Sequence, residues 1–297
     1  MQPDNRKIAW IGLGKMGQPM ADRLLTGGHV LNVYDIDDTR AAPLAAKGAH
    51  KAASAAEAAS ASDYIFTMVT NDDALLEAVT GPGGVLEGAG SGAVLIDMGT
   101  HSPQVSARVA EETEKRGIGF LRAPVSGTVN YVAEGRLTVF ASGPEEVYEK
   151  CLPLLEAFGP KVYHVGAGDE ARYLKLLHNA MLAVTAMMTA EALVFGQSGG
   201  LDWARMIEVL KNSVVGSPVI GYKAEALAGR TFDLTFTAAQ MVKDLDLVLS
   251  AAAQLHTPMP VAALVRQFME AMVATGEGER DFFALVELME KLSRPAH

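Results

Sequence analysis

The sequence predicts an α/β fold in which a doubly wound parallel sheet comes first, a long helix follows and an all-helical domain ends the chain. Short apolar runs alternate with helical runs between residues 7 and 164, a pattern that is typical of parallel βαβ units. Residues 171–195 contain no Gly or Pro and are rich in Leu, Ala and Met, so we predict one long helix there. After Leu201 the helical patterns continue without a convincing strand.

Length and composition favour a soluble protein of two domains. The chain has 297 residues, of which 49% are hydrophobic and 20% are charged, and this is ordinary for a globular protein. We place the boundary at a glycine-containing hinge, so that the domains are residues 1–166 and 167–297. The net charge of −10 argues against a nucleic-acid partner. A single cysteine, Cys151, and an N-terminus without a signal-peptide pattern predict a cytoplasmic location.

The first strand and the turn after it carry the strongest motif. The apolar run Lys7–Ile11 leads directly into a G-x-G-x-x-G turn and then into a helical run. This order is typical of the Rossmann dinucleotide-binding unit, in which the turn and the helix N-terminus bind the pyrophosphate. The alternative is a glycine-rich turn without a ligand. We predict cofactor contacts from the six turn residues Gly12, Leu13, Gly14, Lys15, Met16 and Gly17.

Asp35 ends the second predicted strand, Val30–Tyr34. A carboxylate about 20 residues after the glycines binds the adenosine ribose hydroxyls, and it would repel a 2′-phosphate. The sequence therefore favours NAD over NADP. Arg40 lies close by in the sequence and could weaken that preference, so NADP is not excluded.

Further strands continue the alternation, while residues 41–62 indicate an alanine-rich helix and linker. The predicted strands are 63–69, 93–96, 118–122, 136–141 and 161–164. Ligands of such sheets bind beyond the carboxyl ends of the strands, which is where Val69, Thr70 and Thr100 fall, so we predict that they contact the cofactor. The threonines could instead be ordinary turn or cap residues. Cys151 is interpreted as a packing residue, since nothing near it in the sequence would activate a thiol.

The predicted long helix carries three polar residues on an otherwise apolar surface: Lys175, His178 and Asn179. We expect this helix to be buried because it is apolar nearly all round. A membrane span is disfavoured, because the uncharged run between Asn179 and Glu191 is far shorter than the ~20 residues that a bilayer needs. Lys175 and Asn179 lie one turn apart on one face. Lys175 could also be a lysine whose amine reaches solvent near the helix start.

Five motifs in order resemble those of the β-hydroxyacid dehydrogenases, the family of 3-hydroxyisobutyrate dehydrogenase and tartronate semialdehyde reductase. They span nearly the whole chain, and each alone would be weak. The motifs are GLGKMGQPM (12–20), DMGTHSP (97–103), APVSGTVNYVAEG (123–135), KLLHN (175–179) and KDLDL (243–247).

The resemblance implies a role for each matching residue. Lys175 is similar to the catalytic lysine of the family, and Asn179 to an asparagine that holds the substrate. Ser126 and Gly127 correspond to the loop that binds the substrate carboxylate. Thr100 corresponds to a threonine on the nicotinamide ribose and Lys243 to a second-domain lysine that closes over the cofactor. The family also implies a homodimer or homotetramer.

Three residues depart from the family pattern. Gly99 stands where Ser is usual, Thr128 replaces the second Gly of Ser-Gly-Gly, and His178 replaces the first of two asparagines. Thr128 and His178 lie near the expected substrate, so both are candidate substrate-binding residues, and packing is the alternative for His178. These departures leave open which acid is the substrate.

The expected function is NAD(P)-dependent hydride transfer between nicotinamide and a small 3-hydroxy acid, with Lys175 as general acid/base. An ammonium in a partly desolvated pocket beside a cationic nicotinamide can lose its proton near neutral pH. The alternatives are an imine reductase of the same architecture, which retention of Lys175 disfavours, and a dinucleotide-binding protein without turnover. No metal-ligand spacing stands out in the sequence. Gly276 to Asp281 is expected to be a charged surface loop.

Overall fold

The computed structural model describes residues 5–232 and 234–293. The chain divides into two compact units, one ending at Lys175 and the other beginning at Leu176. This division falls inside the long helix. The boundary at residues 166 and 167 that the sequence suggested stays a prediction.

The first unit is built on a six-stranded parallel sheet in the order β3-β2-β1-β4-β5-β6. This is the strand order of the Rossmann fold, and it confirms the predicted fold class. The order reverses between β1 and β4, where such sheets bind their ligands. The strands are β1 (Lys7–Ile11), β2 (Val30–Tyr34), β3 (His50–Lys51), β4 (Tyr64–Thr67), β5 (Val94–Asp97) and β6 (Gly119–Arg122).

Helices cover both faces of this sheet, and the alternation of side chains along β1 shows how. Ile8 and Trp10 point into one apolar core, where Trp10 stacks on Phe66 with ring centroids 5.1 Å apart, whereas Ala9 and Ile11 point into the other core. The helices are α1 (Gly17–Thr26), α2 (Ala42–Ala45), α3 (Ala55–Ser60), α4 (Asp72–Thr80), α5 (Val85–Gly88), α6 (Pro103–Glu114), α7 (Val129–Ala133) and α8 (Glu145–Glu156), with a 3₁₀ turn at Asp38–Ala41.

A second, three-stranded sheet completes the first unit. It consists of β7 (Val125–Ser126), β8 (Thr138–Ala141) and β9 (Lys161–His164), with β7 antiparallel and β9 parallel to β8. The sequence predicted β8 and β9 but neither of the two-residue strands, β3 and β7. A strand of two residues is too short to show a hydrophobic period.

Among its described residues, 176–232 and 234–293, the second unit consists of helices joined by loops, as predicted, with one isolated β-bridge between Thr237 and Asp281. Its helices are α9 (Glu170–Ser198, which begins in the first unit), α10 (Trp203–Lys211), α11 (Pro218–Gly229), α12 (Ala238–Gln254), α13 (Pro260–Ala274) and α14 (Leu285–Ser293), with a 3₁₀ turn at Phe282–Ala284. Gly196 lies in the last turn of α9. A Cβ there would lie 2.3 Å from Met206 Sδ, so this glycine lets α10 pack against α9.

Helix α9 is buried on one face only, which corrects the expectation that it is buried all round. Ala183 and Leu193 are fully buried, whereas Met181 and Phe195 are 66% and 83% exposed. By length and composition alone the helix could cross a membrane, so the sequence argument that its uncharged run is too short does not exclude a span. In this protein 56% of its most apolar window is buried by other protein atoms, as in the core helix of a soluble protein.

The second unit encloses a buried ion pair. Lys223 is 2% exposed and Asp281 1% exposed, and Lys223 Nζ donates to Asp281 Oδ2 (2.6 Å) and to Thr235 Oγ1 (2.8 Å). Asp281 Oδ2 also accepts the Thr235 backbone N–H (3.0 Å). Asp281 therefore anchors the segment before α12, and the expectation that it lies on the surface is wrong.

We expect Lys223→Met to lower the free energy of unfolding by about 3–5 kcal/mol, because it leaves the Asp281 carboxylate buried without its cation. The double variant Lys223→Met/Asp281→Asn should lower the free energy of unfolding less, since the amide keeps an acceptor for the Thr235 N–H and carries no charge. Urea unfolding followed by circular dichroism measures both. Equal losses in the two variants would contradict this account of the pair.

Candidate active site

The glycine turn after β1 has the shape of a dinucleotide cradle. A Cβ on Gly12 (φ +97°) would lie 2.5 Å from the Met68 carbonyl oxygen, and one on Gly17 would lie 2.1 Å from the Gly12 carbonyl oxygen. Both glycines are thus required by backbone packing. At Gly14 no atom lies within 4 Å of the Cβ position. Open space at this position fits the close approach of a pyrophosphate.

The remaining turn residues divide between core and surface. Leu13 is 2% exposed and packs in the core, whereas Lys15 is exposed and Met16 is half-buried. Helix α1 begins at Gly17 without a side-chain cap and without an acidic residue in its first turn. Its N-terminal N–H groups therefore suit an anion, and the residues present fit the cofactor that the motif implies.

Asp35 lies just after β2, and its carboxylate is hydrogen-bonded to the glycine turn. Its Oδ2 accepts the Leu13 backbone N–H (2.6 Å) and its Oδ1 accepts the Asp37 backbone N–H (2.8 Å). Arg40 Nη1 lies 3.6 Å from Oδ1, as their closeness in sequence suggested. A carboxylate has about four acceptor sites, so these contacts leave capacity for ribose hydroxyls. The bond to Leu13 was not predicted.

The predicted cofactor residues Val69, Thr70 and Thr100 follow β4 and β5, at the same edge of the sheet as the glycine turn. Val69 Cγ1 lies 3.2 Å from the Cβ position of Gly12, so the structure brings these two segments together. Thr70 is exposed and Thr100 is half-buried. Their contacts with a cofactor stay predictions.

Lys175 lies beside the predicted substrate loop. Its Nζ donates to the carbonyl oxygen of Val125 (2.8 Å), the residue before Ser126, and its side chain is half-buried. Gly127 has φ +137°, and a Cβ there would lie 2.6 Å from Leu137 Cδ2, so the loop needs glycine. Thr128 precedes α7 but its side chain makes no capping hydrogen bond to that helix.

The other predicted site residues belong to the second unit, where they meet at Asp244. Asn179 is 3% exposed, and its Nδ2 donates to Asp244 Oδ2 (2.5 Å). His178 Nδ1 donates to Asn179 Oδ1 (3.0 Å), and Lys243 Nζ lies 2.7 Å from Asp244 Oδ1. Asp244 was not predicted to be a site residue, although it follows Lys243 in the same motif. The roles of His178, Asn179 and Lys243 toward ligands stay predictions.

Asp97 is a buried residue of the site region that sequence reasoning also missed. This carboxylate at the end of β5 accepts the Thr67 hydroxyl (2.7 Å), contacts His101 Nδ1 (2.8 Å) and pairs with Arg172 of α9. Burial alone would raise the pKa of Asp97, but the charges of His101 and Arg172 and the hydrogen bonds to it hold that pKa well below its ordinary value. A strand-terminal Asp and an Arg three residues before Lys175 were the available sequence signals.

His101 explains why Gly99 departs from the family pattern. A Cβ on Gly99 would lie 2.2 Å from His101 Cε1. The His101 side chain is fully buried and is held by Asp97, so the ring cannot easily move aside. The small residue at position 99 and the ring at position 101 therefore form one packing unit.

Cys151 is a packing residue, as predicted. It lies in α8 with no exposed surface, and burial raises the pKa of its thiol to about 12. A thiol in that state does not act as a nucleophile at neutral pH.

Two family models together match almost the whole chain. The model described as the NAD binding domain of 6-phosphogluconate dehydrogenase matches residues 7–166. The model described as NAD-binding of NADP-dependent 3-hydroxyisobutyrate dehydrogenase matches residues 166–289.

Curated relatives and a solved structure agree with these matches. The chain is 34% identical to 2-(hydroxymethyl)glutarate dehydrogenase of Eubacterium barkeri, over 97% of this chain and 96% of the relative. It is 32% identical to NAD-dependent L-serine dehydrogenase of Pseudomonas aeruginosa, over 96% of this chain and 98% of the relative. The structure of Mycobacterium tuberculosis 3-hydroxyisobutyrate dehydrogenase with L-serine superposes with a TM-score of 0.88 at 29% identity, covering 96% of this chain and 99% of that chain.

We expect Gly99→Ser to destabilise the protein by about 1–3 kcal/mol, because the new side chain collides with the buried His101 ring. In a His101→Ala background the same substitution should cost less, since the ring is gone. Urea unfolding of the two single variants and the double variant measures this coupling. If the substitution costs the same in both backgrounds, the two residues do not form one packing unit.

Proposed function

The chain belongs to the β-hydroxyacid dehydrogenase family, and we propose that it oxidises a small 3-hydroxy acid with NAD, using Lys175 as general acid/base. The observation that carries this proposal is the Lys175 amine, which is half-buried and bonded to the Val125 carbonyl at the start of the predicted substrate loop. A positioned, partly desolvated amine suits proton transfer near neutral pH.

The names of the relatives support a substrate class. L-Serine and 2-(hydroxymethyl)glutarate both contain a primary alcohol on the carbon next to a carboxylate-bearing carbon. We therefore propose a substrate of the form HOCH₂–CHR–COO⁻, in which R is small. Ser126, Gly127 and Thr128 are the proposed partners of the carboxylate, and Asn179 and His178 are the remaining proposed substrate residues.

The proposed reaction converts HOCH₂–CHR–COO⁻ and NAD⁺ into the aldehyde OHC–CHR–COO⁻, NADH and a proton. Bound NAD⁺ supplies the hydride acceptor. The neutral Lys175 amine accepts the hydroxyl proton as the C–H bond breaks, and in the reverse direction its ammonium returns that proton to the carbonyl oxygen. The Val125 carbonyl orients the amine.

We propose that NAD is preferred over NADP. The buried Asp35 carboxylate lies at the end of β2, where the adenosine ribose binds in such folds. Arg40, 3.6 Å from Asp35, reduces the local negative charge. Lys243 is the proposed cofactor contact of the second unit.

A cytoplasmic location and a homodimer or homotetramer are also proposed. The exposed apolar side chains of α9, such as Met181 and Phe195, favour contact with another copy of the chain.

We expect Lys175→Ala to lower turnover about 10²–10⁴-fold, because it removes the general acid/base. NADH binding should be retained. The assay follows NADH absorbance with L-serine, 3-hydroxyisobutyrate and 2-(hydroxymethyl)glutarate, and a cyclic imine with NADPH tests the imine reductase alternative. The matched control is Lys115→Ala, which removes an exposed lysine that pairs with Glu112. Near-normal turnover by Lys175→Ala would rule out its catalytic role.

We expect Asp35→Asn to raise kcat/KM for NADP relative to NAD by about tenfold, because it removes a charge that repels the 2′-phosphate. The amide oxygen still accepts the Leu13 N–H, so the glycine turn should keep its shape, whereas the Asp37 N–H loses its acceptor. Steady-state kinetics with both cofactors measure the ratio. An unchanged ratio would show that Asp35 does not select the cofactor.

A further inference from the structure

A buried polar network links the carboxyl end of the main sheet to the first turn of α9. Its centre is Arg172, whose side chain is fully buried. The guanidinium pairs with Asp97 through Nη2 and donates through Nη1 to the Gly99 carbonyl oxygen (2.9 Å). One planar fork thus holds both a side chain and the backbone of the segment after β5, which a lysine ammonium on a flexible stem cannot reproduce.

A further chain of hydrogen bonds begins at the third guanidinium nitrogen of Arg172. Its Nε donates to Ser106 Oγ (3.3 Å), and Ser106 in turn donates to Asp169 Oδ1 (2.6 Å). Arg122, at the end of β6, donates to the same Asp169 oxygen (2.8 Å). The network therefore fixes the start of α9 through Asp169 as well as through Arg172.

The hydrogen bond between Arg172 and Gly99 joins two segments that each carry a proposed functional residue. Gly99 precedes Thr100, the proposed contact of the nicotinamide ribose. Arg172 itself lies three residues before Lys175 on the same helix, and Lys175 Nζ is bonded to Val125 O (2.8 Å). A shift of Arg172 would therefore move the Thr100 backbone and the Lys175 amine relative to each other.

We propose that Arg172 is a positioning residue for hydride transfer, because it holds the Gly99–Thr100 backbone in fixed relation to the turn of α9 that carries Lys175. This inference rests on the proposed dehydrogenase function. Buried ion pairs are costly and contribute little net stability compared with well-packed apolar residues. Positioning of the reacting groups gives a reason for a buried ion pair at this position, since displacements near 1 Å can lower rates about 100-fold.

The test is Arg172→Lys, which keeps the charge but loses the fork. We expect kcat for the hydroxy acid to fall about 10–100-fold with KM nearly unchanged, since alignment of the reacting groups changes more than substrate affinity. NADH affinity should fall several-fold, whereas affinity for ADP, which lacks the second ribose and the nicotinamide, should stay the same. Titration calorimetry measures both affinities.

Two further variants make the outcome decisive. Arg116→Lys is the matched control, because Arg116 also donates to a backbone carbonyl, that of Leu86, and contacts none of the proposed site residues; it should keep normal kinetics. Asp97→Asn/Arg172→Gln removes both buried charges together, and it is the variant to use if Arg172→Lys fails to fold. We expect the same loss of kcat in this double variant.

Three results would overturn the proposal. They are an unchanged kcat in the folded Arg172 variants, equal losses of NADH and ADP affinity, and a loss of activity in Arg116→Lys as large as in Arg172→Lys. If the wild-type protein oxidises no hydroxy acid, the proposed function fails, and the comparison of NADH with ADP still tests the positioning role.

Discussion

The ion pair between Asp97 and Arg172 is the interaction on which the rest of the first unit's site region depends. Both side chains are fully buried, and burying two charges costs several kcal/mol unless other hydrogen bonds satisfy them. The Thr67 hydroxyl, His101 and the Gly99 carbonyl supply those bonds. Burial alone would raise the pKa of Asp97, but these partners hold that pKa below its ordinary value, which favours the charged carboxylate.

This constraint accounts for a residue that the family resemblance left unexplained. Because Asp97 also holds His101, the imidazole ring occupies the space above residue 99, and only glycine leaves room for it. Local packing against the His101 ring therefore accounts for glycine at position 99. Thr128, the other departure beside the predicted substrate loop, makes no capping hydrogen bond to α7, and its role as a substrate-binding residue stays a prediction.

The sequence predicted those parts of the fold and site that have a local pattern. Strand β1, the glycine turn and α9, with Lys175 on it, follow from residues adjacent in the chain. The pairing of Asp97 with Arg172 joins residues 75 positions apart, and Asp244 reaches Asn179 across 65 positions. The hydrophobic periodicity of a helix or strand does not indicate which distant polar residues pair. The two-residue strand β7 and the burial of Asp281 were missed for the same reason, because tertiary contacts alone create them.

Two lysines of this chain show how their partners suit them to different tasks. Lys223 lies against the Asp281 carboxylate and the Thr235 hydroxyl, deep in the helical unit. A carboxylate stabilises the ammonium, so a lysine in this position is a structural cation. Lys175 instead donates to the neutral carbonyl of Val125 and is only half-buried. The hydrogen bond to Val125 gives the Lys175 amine a fixed direction beside the proposed substrate loop, and for this reason we propose Lys175, and not Lys223, as the acid/base.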